Sequence, residues 1–184
     1  GEYLNGERNG KGIEYYDNDR LLFKGEYLKG KKWSGKGYNK YGKMEFEIID
    51  GKGNIKEYCN NCKLIYEGEY LNGERNGNGK EFYQNCELKF EGKYLNGERI
   101  GKGKEYYTNG DLLFEGEYLN GLRNGKGKEY YDDDEKHYLK RKHKKEEYLE
   151  DPKLKFDGEY LDGERTGKGK EYYFNGNLLF EGEY

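Results

Sequence analysis

Residues Leu112 to Tyr131 read LLFEGEYLNGLRNGKGKEYY, which is two extended segments joined by a turn signal. In the first segment Phe114, Gly116 and Tyr118 share one face, because successive residues of a strand point to opposite sides. Asn120-Gly121 is the strongest short-range signal for a two-residue hairpin turn. Residues Gly125 to Tyr131 supply the return strand. This stretch therefore predicts one antiparallel β-hairpin.

The same hairpin pattern recurs along the chain. Gly-Glu-Tyr-Leu begins at positions 1, 25, 68, 116 and 158, and Gly-Lys-Tyr-Leu begins at position 92, so the shortest spacing is 24 residues. Such self-similarity indicates a repeat architecture. We predict one array over 1–184 with units 1–24, 25–47, 48–67, 68–91, 92–115, 116–157 and 158–181 and a stub at 182–184. The unit 48–67 is degenerate, and the unit 116–157 carries a charged, helix-favouring insertion at about 132–153.

A single hairpin buries too little apolar surface to be stable alone, so neighbouring hairpins must stack. The predicted fold class is all-β, an elongated single-layer antiparallel sheet of tandem hairpins. Equivalent aromatic residues of successive units should then form rows along one face. The Glu of Gly-Glu-Tyr and the Arg of Gly-Glu-Arg recur in nearly every unit, which predicts a cross-strand ladder of ion pairs.

Composition agrees with order that depends on aromatic side chains. The chain is 39% charged and 32% hydrophobic, yet it contains 22 Tyr, 8 Phe and 30 Gly. A net charge of −3 with mixed signs gives no general attraction to nucleic acid, so no nucleic-acid partner is expected. Three Cys without an even framework favour a reducing compartment, and a cytoplasmic location is expected.

Residues Phe114 to Tyr131 resemble the MORN repeat: an aromatic residue, Gly-Glu and Tyr, an Asn-Gly turn, then Gly-x-Gly-x-Tyr. The resemblance covers nearly all of the chain outside about 132–153. Here Tyr stands where the family often has Trp, and the unit is one residue longer than usual. The resemblance implies a scaffold that organises cytoskeletal or membrane-proximal assemblies, that dimerises, and that is found appended to kinases or methyltransferases.

Two other functions are implied by resemblance. Phosphoinositide or acidic-lipid binding is the activity for which the family was named, although only residues 136–145 form a one-sided basic cluster. Similarity to bacterial MORN-like antitoxin-type proteins implies binding of a toxin protein. The favoured interpretation is a non-catalytic scaffold or protein-interaction module that holds a protein partner along an aromatic groove or through its ends.

Catalytic, cofactor and metal sites are not predicted. Ser34 is the only serine, and both histidines, His137 and His143, lie in the insertion, so no unit pairs a nucleophile with a base. The segment Gly30–Gly37 is similar to a phosphate loop but ends in Gly where Ser or Thr should bind the metal. Cys59, Cys62 and Cys86 provide too few ligands for zinc and are interpreted as strand and turn substitutions.

Two candidate partner surfaces remain. The first is the aromatic face, and the alternative for it is that the rings bury one another and leave nothing for a partner. Its residues are Phe90, Tyr94, Phe114, Tyr118, Phe156, Tyr160 and Phe180. The second is the basic stretch of the insertion, and the alternative for it is a solvated excursion between two strands. Its residues are Lys136, Lys140, Arg141, Lys142, Lys144 and Lys145.

Homodimerisation through the sheet ends is also expected. Gly1-Glu2-Tyr3 and Gly182-Glu183-Tyr184 both lie within strand pattern, which leaves edges that can pair with another chain.

Overall fold

The chain is all-β in a computed structural model, which describes residues 1–59, 61–132 and 153–184. No helix occurs in these three ranges, and the predicted fold class of antiparallel tandem hairpins is confirmed. The first nine strands are β1 (Tyr3–Leu4), β2 (Glu7–Arg8), β3 (Gly10–Tyr15), β4 (Leu21–Leu28), β5 (Lys31–Tyr38), β6 (Met44–Ile48), β7 (Gly53–Tyr58), β8 (Leu64–Leu71) and β9 (Glu74–Phe82). The others are β10 (Leu88–Leu95), β11 (Glu98–Tyr106), β12 (Leu112–Leu119), β13 (Leu122–Tyr130), β14 (Leu154–Leu161), β15 (Glu164–Tyr172) and β16 (Leu178–Glu183).

The hairpin predicted from residues 112–131 is present. Strands β12 and β13 pair antiparallel with Leu119 opposite Leu122, so Asn120 and Gly121 form a two-residue turn. Both turn residues have positive φ, 50° for Asn120 and 82° for Gly121, as a type I′ turn requires. The return strand begins earlier than predicted, at Leu122, because pairing continues up to the turn.

The first compact unit comprises Gly1–Cys86 and Lys93–Glu98. It contains the β1–β2 ribbon, a four-stranded sheet in the order β3-β4-β5-β6, and the antiparallel strands β7, β8 and β9. Its core is a cluster of buried residues. Partly exposed rings such as Tyr58 and Tyr70 pack against this cluster. The buried members are Tyr16, Leu22, Phe23, Tyr27, Phe46, Ile48 and Ile55.

The second compact unit comprises Glu87–Gly92 and Arg99–Tyr184. From β11 to β16 each strand pairs antiparallel with the next along the chain. Strands β13 and β14 are neighbours even though the insertion separates them, and the Tyr131 amide donates a hydrogen bond to the Lys153 carbonyl at 2.9 Å. The predicted helix-favouring insertion lies outside the described residues, apart from Asp132 and Lys153 at its margins.

Glycine pairs across neighbouring strands make room for the rings. Gly116 lies opposite Gly127, and the Phe114 ring lies over both. A Cβ atom built on Gly116 would come within 2.5 Å of Phe114 Cζ, and one on Gly127 within 2.4 Å. No side chain fits in that space, so the glycines allow the ring to lie directly against the backbone.

Candidate functional site

The predicted aromatic residues form one mixed row in the second unit rather than separate rows of Phe and Tyr. The Phe90 and Tyr118 rings meet edge to face with centroids 5.2 Å apart, and Tyr118 meets Phe114 at 5.7 Å. The row continues through Tyr160 and Phe156. Edge-to-face contacts of this kind add stability beyond the burial of area.

Most of the predicted partner-binding rings are core residues. Phe90, Phe114 and Phe156 are 0% exposed, and Tyr94, Tyr118 and Tyr160 are 3% exposed. Phe180 is 44% exposed. Six of the seven rings thus bury one another, which is the alternative that the sequence left open. A direct contact between these side chains and a partner stays a prediction.

Arginine side chains cover the rings. The guanidinium carbons of Arg99 and Arg123 lie 4.1 Å from the ring centroids of Phe90 and Phe114, and that of Arg165 lies 4.2 Å from Phe156. Arg75 covers Tyr66 in the same way in the first unit. A guanidinium over a ring face is attracted by the ring quadrupole, and its alkyl stem shields the ring from water.

The same arginines form a ladder with glutamates on neighbouring strands. Arg123 pairs with Glu129 at 2.8 Å and also with Glu105, while Arg165 pairs with Glu129 and Glu171. In the first unit Arg75 binds Glu57 through Nε and Nη2, both at 2.9 Å. Each carboxylate of this Arg–Glu ladder comes from a Lys-Glu-Tyr or related segment on a return strand.

The sequence therefore predicted the arginines of the ladder correctly and the glutamates wrongly. The Glu of Gly-Glu-Tyr points to the opposite face of its strand, since it is adjacent to the buried Tyr and side chains alternate. Glu69, for example, accepts hydrogen bonds from the Asn78 amide and side chain at 3.1 and 2.8 Å.

The ladder carboxylates are held in their charged form. Burial raises the pKa of Glu129, but the hydrogen bond and charge of Arg165 outweigh it, and the net pKa lies below its usual value. Burial likewise raises the pKa of Glu57, but the hydrogen bond and charge of Arg75 and the hydrogen bond of Tyr70 outweigh it, so the net pKa of Glu57 is also lowered. Burial, with the nearby charge of Glu105, raises the pKa of the Tyr118 hydroxyl, which therefore stays protonated. Structural ion-pair networks produce shifts of this kind.

The opposite face of the sheet carries paired charges that cancel locally. Lys104 lies 3.8 Å from Glu115. Lys170 lies 3.0 Å from Glu181. These exposed cross-strand pairs contribute little stability.

The hairpin turns of the second unit carry a row of partly exposed leucines. They flank two-residue turns, and their exposures lie between 46% and 56%. The residues are Leu119, Leu122 and Leu161, of which Leu119 and Leu122 lie opposite each other across one turn. We call them the turn-leucine row.

Backbone hydrogen bonds fix successive turns to each other. The Gly121 amide donates to the Arg99 carbonyl at 3.0 Å, and the Gly163 amide donates to the Arg123 carbonyl at 2.9 Å. In the first unit Gly97 donates to Arg75 at 2.9 Å. The turn-leucine row is thus held on an ordered backbone.

A pocket of about 480 Å³ opens in the first unit, and the sequence did not predict it. It is lined by residues of the β3–β6 sheet and of strands β7 and β8. Its apolar side chains include Ile48 and Ile55, which belong to β6 and β7. Ile48 and Ile55 stand at positions where other units have Gly. In the sequence this difference is interpreted as degeneracy of the unit 48–67.

The segments that mimic catalytic or metal motifs have structural roles. Residues 31–37 of the phosphate-loop-like segment lie in strand β5, so this segment is not a loop followed by a helix. Cys62 and Cys86 have φ of 64° and 70° in the turn position where Gly110 has 91°. Ser34 Oγ accepts a hydrogen bond from the Asp50 amide at 3.0 Å. Within the described ranges, no group of three or more His, Cys, Asp and Glu residues is arranged to hold a metal ion.

The basic stretch of the insertion lies outside the described residues, so the interpretation of Lys136, Lys140, Arg141, Lys142, Lys144 and Lys145 stays a prediction. No helix in the described part of the chain has the length and apolar character to cross a bilayer.

Comparison with known proteins agrees with the repeat pattern. The family model described as MORN repeat matches residues 1–20, 66–85, 90–112, 114–136 and 156–178, which together are more than half of the chain. No curated protein gives a significant match. The similarity to antitoxin-type proteins is not among these findings and stays a prediction.

Proposed function

Since the chain belongs to the MORN-repeat family, whose repeats are generally protein- or membrane-interaction modules, we propose that it is a non-catalytic scaffold that holds a protein partner. The turn-leucine row is the observation that carries this proposal. Isolated exposed leucines are common on protein surfaces, whereas a regular row of them forms an extended apolar strip. A strip of this kind is a contact surface for another protein.

The buried rings support the proposal by giving rigidity. The Phe114 ring, for example, packs on a glycine pair, is covered by Arg123, and touches the Tyr160 ring of the next hairpin. A rigid surface loses little conformational entropy when a partner binds. The rings thus act as the core of the scaffold, and the turns present the contact residues.

The choice of a protein over a lipid surface rests on charge. Many lysines on the strands of the second unit lie opposite acidic residues, as Lys128 does at 3.9 Å from Asp157. An anionic membrane attracts clusters of Lys and Arg without intervening acids. Alternating charges favour a partner that carries both signs, which is typical of a protein surface.

A capture experiment with two matched double variants tests the proposal. Leu119→Ser with Leu161→Ser removes two members of the turn-leucine row, and Leu178→Ser with Leu179→Ser removes two leucines of similar exposure in β16. We expect recovery of native partners from the source cells to fall at least fivefold for the first pair and less than twofold for the second.

Equal recovery from both variants and the unmodified chain would contradict a role for the turn-leucine row. Equal loss in both would indicate nonspecific adhesion. Measured turnover of any substrate that depends on Ser34 would contradict the non-catalytic part of the proposal.

A further inference from the structure

The turn between β7 and β8 carries two cysteines at positions where a regular repeat has Tyr and Gly. In the turn between β11 and β12, the Gly110 amide donates a hydrogen bond to the Tyr107 carbonyl at 3.0 Å. In the turn between β7 and β8, the Cys62 amide donates to the Cys59 carbonyl at 2.9 Å. The two cysteines therefore occupy the first and fourth positions of a closed turn.

The backbone of this turn brings the two cysteines to a separation that suits a disulfide. When a hydrogen bond joins the first and fourth residues of a turn, their Cα atoms lie less than about 7 Å apart. Disulfides usually join Cα atoms that are about 4.4–6.8 Å apart. Both Cys59 and Cys62 are present as thiols. The backbone thus allows these two thiols to be bridged.

Both sulfur atoms lie near one tyrosine hydroxyl. Cys62 packs against the buried cluster that contains Tyr16. Burial raises the pKa of the Tyr16 hydroxyl, and the nearby Cys62, Glu45 and Cys59 raise it further through the negative charge that they carry when ionised. Two cysteines that act on the same hydroxyl lie on the same side of the turn, as a bridge between them requires.

The two thiols are within reach of a small reagent. Cys59 and Cys62 are partly exposed, and Asn61 beside them is exposed. The Cys59 thiol donates a hydrogen bond to the Lys63 carbonyl at 3.2 Å. A thiol is a weak donor, so this contact is readily given up when the sulfur atom forms a covalent bond.

A bond within the turn accounts for this pair better than a metal ion or a bond to Cys86 does. In the part of the chain that the structure describes, no group of three or more His, Cys, Asp and Glu residues is arranged to hold a metal ion. Cys86 lies in the next turn along the sheet, two strands away at about 4.8 Å per strand, which exceeds the reach of a disulfide.

We propose that Cys59 and Cys62 are a redox modification site that closes reversibly into a disulfide, with a small-molecule disulfide as the oxidant. The site lies in the first unit, is separate from the turn-leucine row, and goes beyond the scaffold function proposed above.

The reaction is two successive thiol–disulfide exchanges. One protein thiolate attacks a sulfur atom of the oxidant, which releases one small thiolate and leaves a mixed disulfide. The second protein thiolate attacks the protein sulfur of that mixed disulfide and releases the other small thiolate. The two protons lost by the cysteines neutralise the two released thiolates, so the protein loses two electrons and the oxidant gains them.

Mass spectrometry of the unmodified full chain tests the proposal. The reduced protein is incubated with glutathione disulfide, the remaining thiols are blocked with N-ethylmaleimide, and the intact mass and peptide map are recorded. We expect a product with a bond between Cys59 and Cys62 that has lost two hydrogen atoms, with Cys86 alkylated or joined to glutathione. Dithiothreitol should restore all three thiols.

Three single variants provide matched controls. Cys86→Ser should still form the internal bond, because Cys86 occupies the same turn position in the next hairpin but has Tyr83 where Cys59 would stand. Cys59→Ser and Cys62→Ser should instead accumulate the mixed disulfide with glutathione at the remaining cysteine of the turn, at least fivefold more than the unmodified chain does.

Retention of all three thiols in the unmodified chain would overturn the proposal. A bond to Cys86 in place of the internal one would also overturn it, as would mixed disulfides at Cys59 and Cys62 that persist without closing. These outcomes are read from the unmodified protein, so they do not depend on how any variant folds.

Discussion

At the scale of single residues, the position of each glycine decides whether a ring can be buried. Gly116 and Gly127 lie beneath the Phe114 ring, where an added Cβ would overlap Cζ. Other glycines, such as Gly101 with φ of 64°, are required for their backbone conformation and have open space around them. The two kinds should respond differently to substitution.

Gly127→Ala should destabilise the chain by about 1–3 kcal/mol, because the methyl group overpacks the ring against the strand. Chemical denaturation followed by tyrosine fluorescence measures the change in the free energy of unfolding. Gly101→Asn is the matched control, since Asn adopts left-handed backbone readily, and its effect should stay within about 0.5 kcal/mol. If both substitutions were equally tolerated, the ring would not depend on the glycine pair.

Residue identities predicted the hairpin turns well. They did not predict what happens where the repeat pattern is altered. Asn-Gly dipeptides predicted the turns because positive φ is a local requirement. Ile48 and Ile55 were interpreted only as degeneracy of the unit 48–67, since their shared pocket forms when strands β6 and β7 of two different sheets pack together. The buried state of Phe114 and Tyr118 was also left open, because a one-dimensional pattern does not show which arginine covers a ring.

At the scale of secondary-structure elements, ion pairs between strands add a pH-dependent contribution to stability. The ladder carboxylates Glu57 and Glu129 have pKa values below their ordinary value in the folded chain. A carboxyl group with a lowered folded-state pKa stabilises the fold above its unfolded pKa and loses that effect as pH falls through the folded pKa.

The free energy of unfolding should therefore be level above about pH 5.5 and fall as the pH is lowered toward 3. Denaturation midpoints measured across this range give the slope. Arg165→Gln should make the fall shallower, because the pKa of Glu129 then rises toward its unfolded value. Lys170→Gln, which removes an exposed pair with Glu181, should leave the slope unchanged. A slope that is the same in all three proteins would argue against the ladder as its source.

We expect the fold to tolerate a shorter connection between β13 and β14. Tyr131 and Lys153 are joined by a backbone hydrogen bond at 2.9 Å, as Tyr107 and Asp111 are joined at 2.8 Å around the short turn 108–110. Replacing residues 132–152 with Thr-Asn-Gly should preserve the β-sheet signal in circular dichroism. Stability should stay equal or rise by about 1 kcal/mol, because a shorter loop costs less entropy to close. A large loss of stability would show that the insertion contributes to the fold.

Strand pairing was predicted reliably, whereas the ladder was only partly predicted. Period-two alternation identified Phe114, Gly116 and Tyr118 as one face. The acidic partner of Arg123 was misassigned because the β12–β13 hairpin offers three glutamates and the choice depends on register, which a β-bulge near Tyr118 shifts.

At the scale of the whole molecule, the distribution of charge distinguishes a protein partner from an anionic membrane. Described lysines such as Lys104 and Lys128 each face an acidic residue across the strands. The one-sided basic cluster at 136–145 belongs to the insertion. Membrane attraction would thus depend on the insertion and not on the hairpins.

The chain with residues 132–152 replaced should stay at background in flotation with vesicles that contain phosphatidylinositol phosphates. Any flotation of the full chain should fade as salt is raised, because exposed charges are screened beyond about 10 Å at 0.1 M salt. Equal flotation of both proteins would place lipid binding on the hairpins and favour the membrane alternative over a protein partner.

The hydrogen bonds between successive turns have a consequence for amide exchange. Turns at the surface usually exchange their amide protons with solvent quickly, because local opening there costs little free energy. In this protein the Gly97, Gly121 and Gly163 amides are donors to the carbonyl of the preceding hairpin, so their deuteration requires neighbouring hairpins to separate. Their exchange rates would then report on the cohesion of adjacent repeats, a quantity that melting curves average over the entire chain.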